Sequence, residues 1–207
     1  MSGALAELEA QVRGCTRCAL SRTRIHAVPG SGDPGARIMV VGEAPGKNED
    51  EQGVPFVGAA GQLLNKLLAT IAIPRDDVYI TNIIKCRPPA NRDPLPDEVV
   101  ACSPYLDQQV ALIRPAVILL LGRHAVQRLL PGSDGISKIH GTLVERGDRA
   151  YVPLYHPAAA LYNGFLVDTL QSDFQKVRGY IDVIEQRRRV EVAKAEAIQP
   201  GQQLSLW

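Results

Sequence analysis

Leu5, Leu8 and Val12 recur at helical spacing and predict a helix over 4–13. Arg37-Ile-Met-Val-Val41 is a short apolar run that stops at a Gly-Pro-rich turn, as a buried strand does. Leu63, Leu64, Leu67, Leu68 and Ile71 mark an amphipathic helix over 61–73. The β-branched stretch 78–85 predicts a second strand, and the prolines of 87–96 a loop. Asp97 caps a predicted short turn that includes Cys102; Ser103 and Pro104 then restart the helix as N-cap and N1, running to Ile113. Residues 116–121 form a third strand, 123–130 a short helix, 151–155 a fourth strand, and 168–187 a final helix.

Strands alternate with helices, and the strands are nearly continuous apolar runs. This pattern predicts an α/β fold, a three-layer αβα sandwich around a central four-stranded parallel sheet. Ligands bind such sheets outside the carboxyl ends of the strands. Four polar clusters fall there, 42–50, 82–92, 122–124 and 156–163, and should converge on one cleft.

The chain has 207 residues, 45% hydrophobic and 22% charged, enough for one sizeable core. The expected division is one domain over 1–187 and a flexible tail over 188–207. A formal charge of +1 excludes a basic field over the whole molecule, so any nucleic-acid contact must be local. Lys85, Arg87, Arg92, Arg123, Lys138 and His140 are expected to gather on one face and meet phosphates. No apolar run reaches membrane length, and 1–10 lack the pattern of a signal peptide. A cytoplasmic monomer without a membrane partner is the expectation.

Cys15 and Cys18 form a C-x-x-C pair; Cys86 and Cys102 lie far off, with fifteen residues between them. Four thiolates hold either zinc or a [4Fe–4S] cluster. Zinc ribbons draw on two close pairs. The wide second pair here suits a bulkier group, and both readings stay open on spacing.

Gly42-Glu-Ala-Pro-Gly46 follows the first strand, trailed by Glu49-Asp-Glu51. The segment lacks the spacing of phosphate-cradling loops, and its acids would repel polyphosphate. Pro55-Phe-Val-Gly58, Thr81-Asn-Ile-Ile-Lys-Cys86 and His156-Pro-Ala158 come next, in that order. Together with the cysteines, these motifs resemble family 4 of the uracil-DNA glycosylases, the iron–sulfur type, over about residues 10–182. The resemblance implies removal of uracil from DNA by hydrolysis of the N-glycosidic bond, and a [4Fe–4S] cluster on Cys15, Cys18, Cys86 and Cys102. It implies that Phe56 stacks on the flipped base and that Asn82 reads its polar edge. His156 would stabilise the departing anion, and the backbone at Glu43 and Ala44 would line the pocket. Either Glu43 or Glu49 would position the water. Leu161 is a candidate wedge for the gap left in the base stack, and Asn91 a weaker candidate for water or DNA contact.

Each has a plain structural reading as well. Phe56 and Leu161 can be packing, Asn82 a satisfied buried amide, and His156 a strand terminator. A related group traps the abasic sugar through a histidine in a basic insertion; here Arg87-Pro-Pro-Ala-Asn-Arg-Asp-Pro94 has none, which implies turnover. Ala44 stands where many relatives have a second glycine. A redox-sensing DNA-binding module and a zinc-dependent nucleotide hydrolase are the competing functional readings. Finally, Gln203, Leu204, Leu206 and Trp207 resemble the pentapeptide that docks on bacterial sliding clamps, Gln-Leu-Ser/Asp-Leu-Phe, with Trp in the aromatic place.

Overall fold

A computed structural model describes residues 2–197. The strands are β1 (Ser31–Gly32), β2 (Ile38–Gly42), β3 (Val78–Asn82), β4 (Val117–Leu121), β5 (Val144–Arg146) and β6 (Arg149–Leu154). The helices are α1 (Ser2–Arg13), α2 (Lys47–Gln52), α3 (Ala59–Thr70), α4 (Pro96–Ile113), α5 (Arg123–Leu129), α6 (Ile136–Ile139), α7 (Pro157–Tyr162) and α8 (Phe165–Ala197). The four predicted strands belong to a six-stranded sheet of order β1-β3-β2-β4-β6-β5. β3, β2, β4 and β6 pair in parallel, while β1 and β5 add antiparallel edges. The two edge strands span two and three residues and carry no buried apolar run, so periodicity does not reveal them.

β2, β3 and β4 are buried along their whole length, and alternate side chains feed two separate cores. Met39, Val41, Ile118 and Leu120 meet α1, α4 and α5 through Leu8, Val12, Leu106 and Val126. Ile38, Val40, Leu119 and Val152 meet α3, α7 and α8 through Leu64, Leu68, Ala160, Leu170 and Phe174. Helices thus cover both faces of the sheet, and its carboxyl edge is left to loops.

Helix α4 does not restart at Ser103: it is one helix with Pro104 inside it. Proline strips the carbonyl of Val100 of its helical donor. Val100 is 72% exposed, so water can serve there. The N-cap is Leu95, whose N–H donates to Glu98 at 2.8 Å, and not Asp97. β3 ends at Asn82, short of Lys85, because the chain turns there to drive the Lys85 side chain into the interior. α8 continues past Arg187 to Ala197. The clamp-like segment Gln203, Leu204, Leu206 and Trp207 lies outside the described residues, as does the end of the expected tail.

Candidate active site

The loops after β2, β3 and β6 meet in a cleft of about 380 Å³. Glu43, Ala44, Glu49, Phe56, Asn82 and His156 all line it, with Asn91 and Arg92 from the proline-rich loop and Tyr162 from the end of α7. The structure therefore brings the sequence candidates together, with the exception of Leu161. That residue is half exposed on α7, and its neighbour Tyr162, 94% exposed, lines the cleft.

Asn82 sits at the last register position of β3, opposite Gly42 of β2. It is 1% exposed, and its Oδ1 is buried with no hydrogen-bond partner. An unpaired buried amide oxygen is costly unless a ligand completes it. The Phe56 ring is stacked with His156, centroids 5.7 Å apart. Phe56 has a φ of 53°, uncommon for a bulky side chain. Two side chains hold it there. Glu49 accepts from Val57 N at 2.9 Å and Gly58 N at 2.8 Å with one oxygen, and from Gly46 N at 3.1 Å with the other. Arg75 donates to the Phe56 and Pro55 carbonyls at 3.1 and 2.6 Å. Glu49 is thereby engaged with backbone, and Arg75 is a supporting residue that no motif announces.

Glu43 points to the rim. His124 Nε2 lies 3.7 Å from its carboxylate and 3.6 Å from Asp93, which pairs with Arg123. Partial burial, reinforced by Asp93, raises the Glu43 pKa above the usual carboxylate range, while His124 and Arg123 oppose the shift. His156 caps α7: its Nδ1 accepts from Ala158 N at 3.1 Å. That bond assigns the proton of the neutral ring to Nε2. Burial pushes the imidazole down to about 4, so it is neutral at pH 7.

Of the six basic candidates, Arg92 lines the cleft, Arg87 donates to the cleft residue Asn91 at 2.8 Å, and Arg123 joins the rim network. Lys85 does not face DNA: it is 1% exposed. Lys138 pairs with Asp134 and His140 with the buried Asp173, and neither lines the cleft.

Behind the cleft wall, Cys15, Cys18, Cys86 and Cys102 line one small void of about 10 Å³. Among the described residues, no three of these sulfurs fall within 4.8 Å of one another. Zinc–sulfur bonds of about 2.3 Å would set tetrahedral sulfurs roughly 3.8 Å apart. The sulfurs are thus spaced more widely than one zinc ion would hold them, and four thiolates are the donor set of an iron–sulfur cluster. Donors surround the sulfurs as thiolates require: Arg24 Nη1 reaches Cys86 at 3.0 Å, and the N–H groups of Lys85 and Arg17 reach Cys102 and Cys15 at 3.3 and 3.4 Å.

A family model described as the Uracil DNA glycosylase superfamily matches residues 29–179, and the chain belongs to that superfamily. Within it, the chain is 47% identical to the type-4 uracil-DNA glycosylase of Sulfurisphaera tokodaii over 183 residues, 84% of this chain and 83% of that protein. It is 48% identical to the type-4 enzyme of Saccharolobus solfataricus over 81% of this chain and 82% of that one. Against the type-4 enzyme of Archaeoglobus fulgidus the figure is 46%, over 84% and 91%.

Proposed function

We infer that this protein excises uracil from DNA by hydrolysing the N-glycosidic bond, leaving an abasic site for base excision repair. The observation that carries this reading is the orphaned Asn82 Oδ1, buried in a cleft walled by the Phe56 ring. Uracil offers an N–H and a carbonyl on one edge; a carboxamide accepts from the first and donates to the second. Phe56 gives the flipped base a face to stack on. Breaking the bond leaves positive charge on the sugar and negative charge on the base. The Nε2–H of neutral His156 serves the base as donor, without a proton to lose first.

Glu43 is the carboxylate for the sugar and the attacking water. Glu49 has both oxygens committed to backbone N–H groups and acts as the clamp of the Phe56 loop. The pocket backbone at Ala44 lies between them. Tyr162 at the cleft, with the exposed Leu161 beside it on α7, offers an apolar surface suited to replace the extruded base in the stack. Arg87, Arg92 and Arg123 would meet flanking phosphates.

The four cysteines hold a [4Fe–4S] cluster, which ties α1, the segment after β3 and α4 together and supplies no step of the hydrolysis. Incubation with a single-uracil oligonucleotide, followed by alkali, tests the function. Strand breaks at uracil and none in the matched thymine oligonucleotide are expected. Intact uracil strands would refute it and favour a binding module.

A further inference from the structure

Lys85 is the charged side chain buried most deeply between the two sites. Its Nζ donates to Thr81 Oγ1 at 2.6 Å, to the Gln109 side-chain oxygen at 2.7 Å and to the Asn82 carbonyl at 2.7 Å. Three donors meet three neutral acceptors, so the ammonium is saturated. Gln109 is itself held by Pro29 O at 2.8 Å and Tyr79 Oη at 3.0 Å, so the acceptor is fixed in place. The Lys85 main chain is held from both sides as well. Its N–H donates to Cys102 Sγ at 3.3 Å, and its carbonyl accepts from Val28 N at 2.7 Å.

Burying a lysine amine costs more than burying a methionine of similar volume, even with the Cys102 sulfur beside its main chain. Packing alone does not explain the choice. What the ammonium grips does. The Asn82 side-chain oxygen has no partner of its own in the protein. Its aim therefore depends on the peptide plane at Asn82 and on the walls around it. The carbonyl of that peptide is the group Lys85 holds.

We propose that Lys85 is a positioning residue, which fixes the end of β3 so that the Asn82 amide meets the uracil edge and which anchors that strand end to the cysteine-lined pocket. The proposal rests on the reading of Asn82 as the base reader. A tilt at this strand end of a fraction of an ångström would misalign both hydrogen bonds to the base. Phosphate contacts, made elsewhere on the surface, would be untouched.

The test compares Lys85→Met, Gln109→Leu and Asn82→Ala in the iron-loaded full chain. It uses calorimetric binding of free uracil, binding of a duplex with a tetrahydrofuran abasic analogue, and absorbance near 400 nm. Lys85→Met should weaken free uracil by about tenfold or more. Abasic-duplex affinity should stay within about twofold and the iron absorbance should be retained. Gln109→Leu, which keeps the lysine but removes one anchor, should shift uracil binding in the same direction by less. Wild-type uracil affinity in an iron-retaining Lys85→Met overturns the proposal. If Lys85→Met does not fold, wild-type uracil binding by Gln109→Leu overturns it. Loss of the fold in both assigns Lys85 to stability alone and overturns it too. Asn82→Ala separates the two ideas. Weak uracil binding there with normal binding in Lys85→Met removes the positioning role only, whereas unchanged binding in Asn82→Ala removes the base-reader reading and the proposal with it.

Discussion

Gly42 and Asn82 face each other at the ends of β2 and β3, and a Cβ built on Gly42 would lie 2.5 Å from the Asn82 amide oxygen. The same Cβ would lie 2.6 Å from the tip of the Phe56 ring. Glycine is required there by close approach, not by its backbone angles. Gly42→Ala should push aside the edge reader and the stacking face together. The expected cost is about 1–3 kcal/mol of stability from overpacking. A fall of at least about tenfold in the single-turnover rate should accompany it. Rapid-quench assays beside urea melts check both, and a wild-type rate in the alanine variant would contradict the pocket as described.

His156 should act as a neutral donor. His156→Ala should lower the chemical step by about 10²-fold while leaving affinity for abasic duplex nearly intact, as for a lost transition-state donor. Its titration also predicts acid sensitivity of the fold. The folded pKa, about 4, lies below the ordinary histidine value, so the unfolded chain takes up a proton first. The stability this contributes is full above about 6.5 and is lost as pH falls toward 4. The loss is at most roughly 3 kcal/mol, since the ring is partly open to the cleft. Urea unfolding of wild type and His156→Gln at pH 7 and 4.5 checks this, with a smaller acid loss expected in the variant.

The two acidic candidates should separate by what fails. Glu43→Gln should lower the single-turnover rate by about 10²-fold with melting unchanged. Glu49→Gln puts an N–H₂ among three backbone N–H groups, and should lower the melting temperature and weaken uracil binding. The wild-type rate should decline as pH drops through the raised Glu43 pKa, above 4.5, because protonation removes the charge that faces the sugar. A pH–rate profile flat down to 4, or Glu49→Gln failing in chemistry alone, would reverse the assignment.

The central strands and the residues that line the cleft were legible because β2, β3 and β4 are apolar runs and the polar side chains sit where those runs stop. Asn82 and His156 announce themselves by polarity at a strand end. Arg75 does not: it acts across a long sequence separation on the backbone of Pro55 and Phe56 and belongs to no local pattern. Lys85 was misread for a related reason. A lysine after an apolar strand looks like a phosphate contact, and only the turn of the chain after Asn82 shows it driven inward. Pro104 misled in the opposite sense, since an exposed helix face tolerates the interruption.

The cysteine pocket carries the last prediction. Protein matured with iron should be brown, with broad absorption near 400 nm and about four iron atoms per chain. Cys15 and Cys18 follow α1, Cys86 follows β3, and Cys102 lies in α4, so the group they hold closes long loops of chain. Removing one ligand should therefore cost the fold before it touches the hydrolysis. Cys86→Ser is the sharpest case, because Arg24 donates to that sulfur while also holding the carbonyls of Arg13 and Cys15. Iron loss, a lower melting temperature and increased proteolysis within the first turns of the chain are expected. Molecules that retain iron should keep a near-normal single-turnover rate. Stoichiometric zinc without iron in fully matured protein would overturn the cluster, and a Cys86→Ser protein with native melting but no chemistry would give the group a catalytic part that this arrangement does not provide.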